Sequence, residues 1–216
     1  YKNLTKLSSL SYLKSKETEI PSCQLKDLIA HNKDLIMLTG NYRDFFGKLY
    51  YANKLKNIGE IVNLLKSHFP DRFYYEIQRH NENEEKNFEN YLLNSSNFLN
   101  IPIIATQEVF YINKEMFEAH DALICIGEKS FIDDKNRFKL SDQHFLKKQE
   151  EIVKIYSDIP EALENNYNFH LRFNFKPKKS KPILPSIADN QNKSPEEELK
   201  IQAEVGLKHR LENFIQ

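Results

Sequence analysis

The sequence predicts an α/β fold in which a parallel sheet is covered by helices. Short apolar or β-branched runs bounded by polar or turn residues occur at Asp34-Leu-Ile-Met-Leu-Thr-Gly40, Arg72-Phe-Tyr-Tyr-Glu-Ile77 and Ile101-Pro-Ile-Ile-Ala-Thr106, the pattern of buried parallel strands. The stretches between them place apolar residues on a helical period. Strand and helix therefore alternate, and right-handed βαβ connections make such a sheet parallel. Periodicity alone fits a barrel and an open sheet equally.

In chain order, the first strand is followed by a helix whose apolar face is Leu55, Ile58, Ile61, Val62, Leu65 and Phe69. After the second strand, Phe88, Tyr91, Leu92, Ser95 and Leu99 mark another helix. Beyond the third strand, Met116, His120, Leu123 and Ile124 share a helical face, and Phe145, Ile152, Ile155 and Tyr156 mark a helix running to Ser157. Asp158-Ile-Pro-Glu161 reads as a capping box that starts a further short helix, the Asp carboxylate accepting from an orphan N–H and Pro160 tolerated in the first turn. From Tyr167 to Asn192 the pattern breaks, with Arg172, Lys176, Lys178, Lys179 and Lys181 lacking acidic neighbours and Pro177, Pro182 and Pro185 among them. Ser194-Pro-Glu-Glu197 restarts a helix whose apolar stripe continues through Leu199, Ala203, Leu207, Leu211 and Phe214.

Composition narrows the function classes. With 216 residues, 40% hydrophobic and 29% charged, the chain can bury an ordinary core, so one domain plus an appendage is expected. Tyr1 at the start and a helical pattern running into Gln216 lead us to expect a piece of a longer chain. The 31 basic and 31 acidic side chains cancel, so the whole segment has no positive excess for neutralising phosphates, and any DNA contact must be local. Cys23 and Cys125 are isolated, which argues against a disulfide framework or a structural zinc site and fits the cytoplasm. The apolar runs Ile101 to Ala105 and Ala122 to Ile126 fall far short of the roughly 20 residues that span a bilayer, so no membrane partner is expected.

Several stretches together carry a resemblance. Phe69-Pro-Asp-Arg-Phe-Tyr-Tyr-Glu-Ile-Gln-Arg-His80 is its main signature; Tyr1-Lys-Asn-Leu4, Leu38-Thr-Gly40, Ser157-Asp-Ile-Pro-Glu-Ala-Leu-Glu-Asn165 and Gly206-Leu-Lys-His-Arg-Leu211 add to it. In these the chain resembles the polymerase-and-histidinol-phosphatase (PHP) domain of the alpha subunits of bacterial replicative DNA polymerase III. The resemblance implies a partial (β/α)7 TIM-like barrel of the PHP type with a C-terminal helical extension. Residues 1–166 would be the later part of the PHP domain, 167–193 a linker, and 194–216 the helical start of a polymerase core. Lacking its first strands, such a sheet would expose an edge and an apolar face.

The resemblance also implies template-directed DNA synthesis for the intact protein, with Mg at polymerase carboxylates beyond Gln216, and catalysis absent from this piece. DNA, the epsilon proofreading exonuclease docked on the PHP domain, and other replisome subunits are the implied partners. Metal-binding members of the family hold a metal cluster at the strand ends, and its opening His-x-His pair would precede Tyr1. Here Asn41 stands where such members carry Cys, Glu108 replaces the Asp of an Asp-x-His pair, and Phe110 replaces its His. A phenyl ring cannot coordinate a metal and Asn is a poor substitute for a thiolate, so the site reads as degenerate, without catalytic metal.

Glu76 and His80 leave a strand end, where such folds present catalytic groups. The bland alternative pairs Glu76 with Arg79 or another nearby cation and makes His80 a cap of the next helix. His120 reads as a hydrogen-bonded core residue, and His31, His68, His144, His170 and His209 show no ligand spacing. Lys176 to Lys181 reads as a solvated linker face, with phosphate contact the alternative. A stand-alone PHP metal-dependent phosphoesterase, histidinol-phosphatase-like, is the competing function; the Glu-Ile-Gln-Arg-His and Asp-Ile-Pro-Glu-Ala-Leu-Glu-Asn stretches favour the polymerase branch.

Overall fold

The computed structural model describes residues 1–16, 19–182 and 194–214, the last of them in backbone only. They fall into two compact units, Tyr1–Phe175 and Lys176–Gln216. The first unit opens with helices α1 (Lys2–Lys14) and α2 (Leu25–Ala30), then strand β1 (Met37–Leu38), α3 (Phe45–Tyr51), α4 (Leu55–His68), β2 (Phe73–Ile77), α5 (Glu85–Leu99) and β3 (Ile103–Ala105). It ends with α6 (Phe117–Glu128), α7 (Gln149–Ile155) and α8 (Pro160–Phe169). The expected linker lies partly outside the described residues, as do Pro185 and the side chain of Phe214.

The three strands form one parallel sheet in the order β1-β2-β3, with Met37 opposite Phe73 and Tyr75 opposite Ile103. Mixed α/β architecture with a parallel sheet is thus present; a closed barrel is not, since the described sheet has three strands. Alternation along β2 sends Phe73, Tyr75 and Ile77 into a core shared with Ile58, Val62 and Leu65 of α4 and Phe88 and Leu92 of α5. Each such side chain contributes about 1.5–3 kcal/mol on burial. The intervening Tyr74 packs edge-on against Phe169, while Glu76 turns to polar partners at the strand ends.

The two sheet edges differ. The β3 edge is closed by α8: Asn166 Oδ1 accepts from the Ala105 N–H at 3.1 Å while its Nδ2 donates to Ala105 C=O at 2.6 Å, and Asn165 Nδ2 donates to Ile103 C=O at 2.7 Å. Side-chain amides thereby replace a fourth strand and blunt that edge. Beside β1, a groove of about 520 Å³ opens among Leu7, Leu25, Leu28, Met37 and Phe46.

Three local expectations are corrected. The buried face of α6 is Asp121 and Cys125, whereas Leu123 is 62% exposed and Met116 lies in the 3-10 turn before the helix. Arg137 selects that face, its guanidinium pairing bidentately with Asp121 at 2.5 and 2.6 Å with both side chains almost inaccessible. Phe145 lies outside α7; its residue forms an isolated parallel bridge with Tyr111. Asp158 does not cap α8, because Arg79 takes both its oxygens at 2.7 and 2.8 Å, a stronger charge-assisted interaction than a cap. Helix α8 begins instead at Pro160, which has no N–H to leave unsatisfied.

In the second unit, α9 (Pro195–Phe214) starts with a reciprocal box: the Ser194 N–H donates to Glu197 Oε2 at 3.0 Å and the Glu197 N–H to Ser194 Oγ at 3.2 Å. Glu196, Glu197 and Glu198 sit at its positive end. Leu199, Leu207 and Leu211 along this helix are exposed.

Candidate functional site

In parallel sheets, sites form where loops leave the C-terminal strand ends, and here three such loops meet. The first is held by Gly40, whose φ of +78° suits glycine; a Cβ there would lie 2.5 Å from the Asp44 carboxylate. Its N–H donates to Glu76 Oε2 at 3.0 Å. The Glu76 carboxylate also accepts from Gln78 Nε2 at 3.1 Å and from the Thr106 hydroxyl. One side chain on the middle strand therefore ties together all three strand ends. Arg79 is not its partner; that guanidinium serves Glu89 and Asp158.

Asn41, at the end of the first loop, donates from Nδ2 to Gln78 Oε1 at 3.1 Å and accepts the Arg43 N–H on Oδ1 at 2.8 Å. The neighbouring Arg43 pairs with Glu82 at 2.6 Å, and the Tyr42 hydroxyl donates to the other Glu82 oxygen at 2.5 Å. Burial raises the Glu82 pKa, but the adjacent His144 imidazole, the Tyr42 hydroxyl and the Arg43 charge outweigh it and hold the carboxyl down at about 2. The Tyr42 phenol is pushed up by burial, with the Glu82 carboxylate adding to the rise.

His80 and His144 are 2% and 1% exposed, and their rings stack face to face at 4.0 Å, 2° from parallel. His80 does not cap α5. The helix instead caps the loop, since both Glu85 oxygens accept the His80 N–H, at 2.9 and 2.8 Å, and the carboxylate also faces His80 Nδ1 at 3.2 Å. The Glu108 peptide holds both rings: its N–H points at His80 Nε2 at 3.3 Å and its C=O at His144 Nδ1 at 3.2 Å. A carbonyl can only accept and an N–H can only donate, so these contacts fit a proton on Nδ1 of His144 and none on Nε2 of His80. His144 Nε2 has no hydrogen-bond partner among the described atoms and faces Glu82 Oε1 at 3.6 Å. Phe110 lies 5.5 Å from the His144 ring, and its other neighbour His120, half-buried, stacks on it at 5.2 Å.

Asn41, Glu108 and Phe110 are therefore gathered at adjacent strand ends, through Gln78, His80 and His144 respectively. The donor set suits a metal ion poorly. Glu76, Glu82 and Glu85 already accept from protein donors, Arg43 supplies a fixed positive charge, and Phe110 offers a hydrocarbon ring. Among the described residues no group of three or more His, Cys, Asp or Glu is arranged to hold a metal ion. The void among Asn41, Tyr42, Glu76, Gln78 and Glu85 is about 10 Å³, room for at most one water. Spacing had not singled out Tyr42, Arg43, Glu82 or Thr106, and His144 arrives on an irregular segment that carries no periodic signal. For Arg43 and Glu82 the available signal was position, two residues beyond Asn41 and His80.

A family model of the PHP domain matches residues 1–80. The DNA polymerase III subunit alpha of Caulobacter vibrioides is 34% identical over 214 residues, 99% of this chain and 19% of that protein. The subunits of the same name from Rickettsia bellii and Vibrio cholerae are 32% and 29% identical over 98% of this chain, which spans 18% of each. The resemblance to DNA polymerase III alpha subunits thus extends along nearly the whole chain, and the PHP model covers its first 80 residues.

Proposed function

We propose that the intact protein is the alpha subunit of DNA polymerase III, a template-directed DNA polymerase, and that this segment is a structural part of it. The observation that carries the reading is the alignment of 99% of the chain with such a subunit at 34% identity. Residues 1–166 serve as the later part of the PHP domain, its three strands belonging to a (β/α)7 barrel, with 167–193 a linker and 194–216 the start of the polymerase core. Magnesium-binding polymerase carboxylates lie outside these residues, so DNA synthesis is not this segment's own chemistry. The saturated hydrogen bonding of Glu76, His80 and Glu85 supports a strand-end cluster that braces the fold without catalytic metal.

The partners are DNA and the other replisome subunits, in the cytoplasm. Exposed Leu123, Ile126 and Phe131 offer apolar surface for the epsilon exonuclease. No helix among the described residues is long and apolar enough to cross a membrane. Primer extension by the complete gene product, with template, deoxynucleotides and magnesium, tests the reading. Templated extension is expected; hydrolysis of a phosphomonoester with no extension would install the PHP phosphoesterase instead. Metal analysis of the same preparation should find no stoichiometric zinc or manganese, and two or three tightly bound ions would overturn the degenerate site.

A further inference from the structure

Within the first unit, α1 brings two stacked rings together with three lysines. Tyr1 and Phe175, from opposite ends of that unit, lie face to face with centroids 5.2 Å apart and planes 8° from parallel. They nevertheless stay 63% and 58% exposed. A clasp alone would gain by burying those faces, since stabilisation follows the apolar area removed from water. Lys2 follows Tyr1 and opens α1, and Lys6 lies one turn further on the same face. Lys33 is held beside them, its C=O accepting from Asn3 Nδ2 at 2.8 Å. All three lysines are exposed, and none has a carboxylate partner among the described residues.

The lysine pair works against the fold. Like charges four positions apart on a helix repel and destabilise it, and α1 contains no Asp or Glu to relieve them. At the same spacing α4 sets Lys56 against Glu60 and α9 sets Lys208 against Glu212. A local rule broken without gain to the fold points to function. An unpaired nucleotide answers both features: its base has a free face to extend the ring stack, and its phosphate relieves the lysine repulsion while releasing counterions. A duplex offers no free base face. An anionic bilayer or an acidic peptide would engage the lysines and leave the parallel rings idle. Resting on the polymerase reading for the choice of DNA, we propose that Tyr1 and Phe175 form a stacking site for one unpaired base of single-stranded DNA, with Lys2, Lys6 and Lys33 contacting the phosphates beside it.

The test is fluorescence anisotropy of the whole 216-residue chain with an end-labelled oligothymidylate, measured over a salt series. Tyr1→Ala should weaken binding about 5- to 150-fold with the salt slope retained, and Tyr1→Phe, which keeps the ring, should bind as the unaltered chain does. With three lysines neutralised in K2Q/K6Q/K33Q, the slope of log affinity against log salt should become shallower by about 2.1. Between 50 and 200 mM salt that corresponds to a difference of about 18-fold in salt sensitivity. Unchanged affinity in Tyr1→Ala, an equal loss in Tyr1→Phe, an unchanged slope in the lysine variant, or tighter binding of a hairpin duplex, polyglutamate or phosphatidylserine vesicles would overturn the proposal. Templated extension by the complete gene product without these effects sinks this inference alone; these effects without extension sink the polymerase reading alone.

Discussion

Replacing Arg79 by Met should unfold the first unit more readily than any other single change at the strand ends. Its guanidinium donates to Glu89 at 2.9 and 2.5 Å, to Asp158 at 2.7 and 2.8 Å and to the Ile155 C=O at 2.5 Å, and lies 5.1 Å from the Tyr156 ring. The loop after β2 is thereby joined to α5 and to the junction of α7 and α8. Methionine keeps the aliphatic stem and removes the charge. Glu89, 13% exposed, is then stranded, whereas Asp158, 61% exposed, rehydrates. Removing one partner of a buried pair costs about 3–5 kcal/mol, and an exposed pair contributes at most about 1 kcal/mol. The lower end of the first range applies because Glu89 keeps some solvent, which gives a loss of about 3 kcal/mol. For a unit of this size the midpoint should fall by about 6–12 °C. Urea unfolding followed by circular dichroism, with double-mutant cycles, reads this out. Coupling of Arg79 to Glu89 should exceed its coupling to Asp158. A total loss under about 1 kcal/mol, or the reverse ranking of the two couplings, would refute the reasoning.

Asn166→Ala removes both bonds to the Ala105 peptide and should cost about 1–3 kcal/mol in urea unfolding; a neutral effect would mean that water closes the β3 edge equally well. Gly40→Ala combines a left-handed backbone with a clash on Asp44 and should cost about 1–2 kcal/mol or more; Asp44→Ala in the same background should recover part of the loss, and no recovery would assign the cost to the backbone alone. Glu82 predicts an acid limb. Its pKa is depressed in the fold, from 4.5 to about 2, so its stabilisation is present above pH 4.5 and is lost as pH falls from there toward 2. Glu82→Gln should flatten that limb in a pH series of unfolding midpoints, and an identical acid limb in the variant would rule Glu82 out as its source.

Much of the sheet was legible because burial imposes composition. The apolar runs around Tyr75 and Ile104 are buried among helices and sheet, so they carry the signature of strands with no solvent face, while half-buried Met37 and Leu38 of β1 border the groove. The stripes of α4 and α5 were legible for the same reason. What failed was decided by charge. Asp121 on α6 is drawn inward by Arg137, sixteen positions on, and Asp158 is drawn from its cap by Arg79 across the fold. No local window contains both members of such a pair. At the strand ends, the order of Asn41, Glu76, His80, Glu108 and Phe110 along the chain allowed them to be gathered in advance, since Glu76 lies near the end of β2 and the others follow a strand. Their partners could not be, since His144 comes from a stretch with neither period nor spacing.

That division bears on what the strand ends do. A catalytic site holds donors and acceptors partly unsatisfied, ready for substrate, and the rest of the fold sustains the cost. At these strand ends the balance is inverted. Glu76 binds all three loops, Glu85 closes the turn after β2, and one peptide, that of Glu108, addresses two stacked imidazoles. Most polar groups of the cluster face the protein; among the described residues His144 Nε2 has no hydrogen-bond partner and looks onto a carboxylate that already serves Arg43 and Tyr42, and the Glu108 carboxylate, 38% exposed, lies 3.9 Å from His144 Nδ1. Satisfied groups of this kind add stability and rigidity. They fix where the loops stand relative to the sheet.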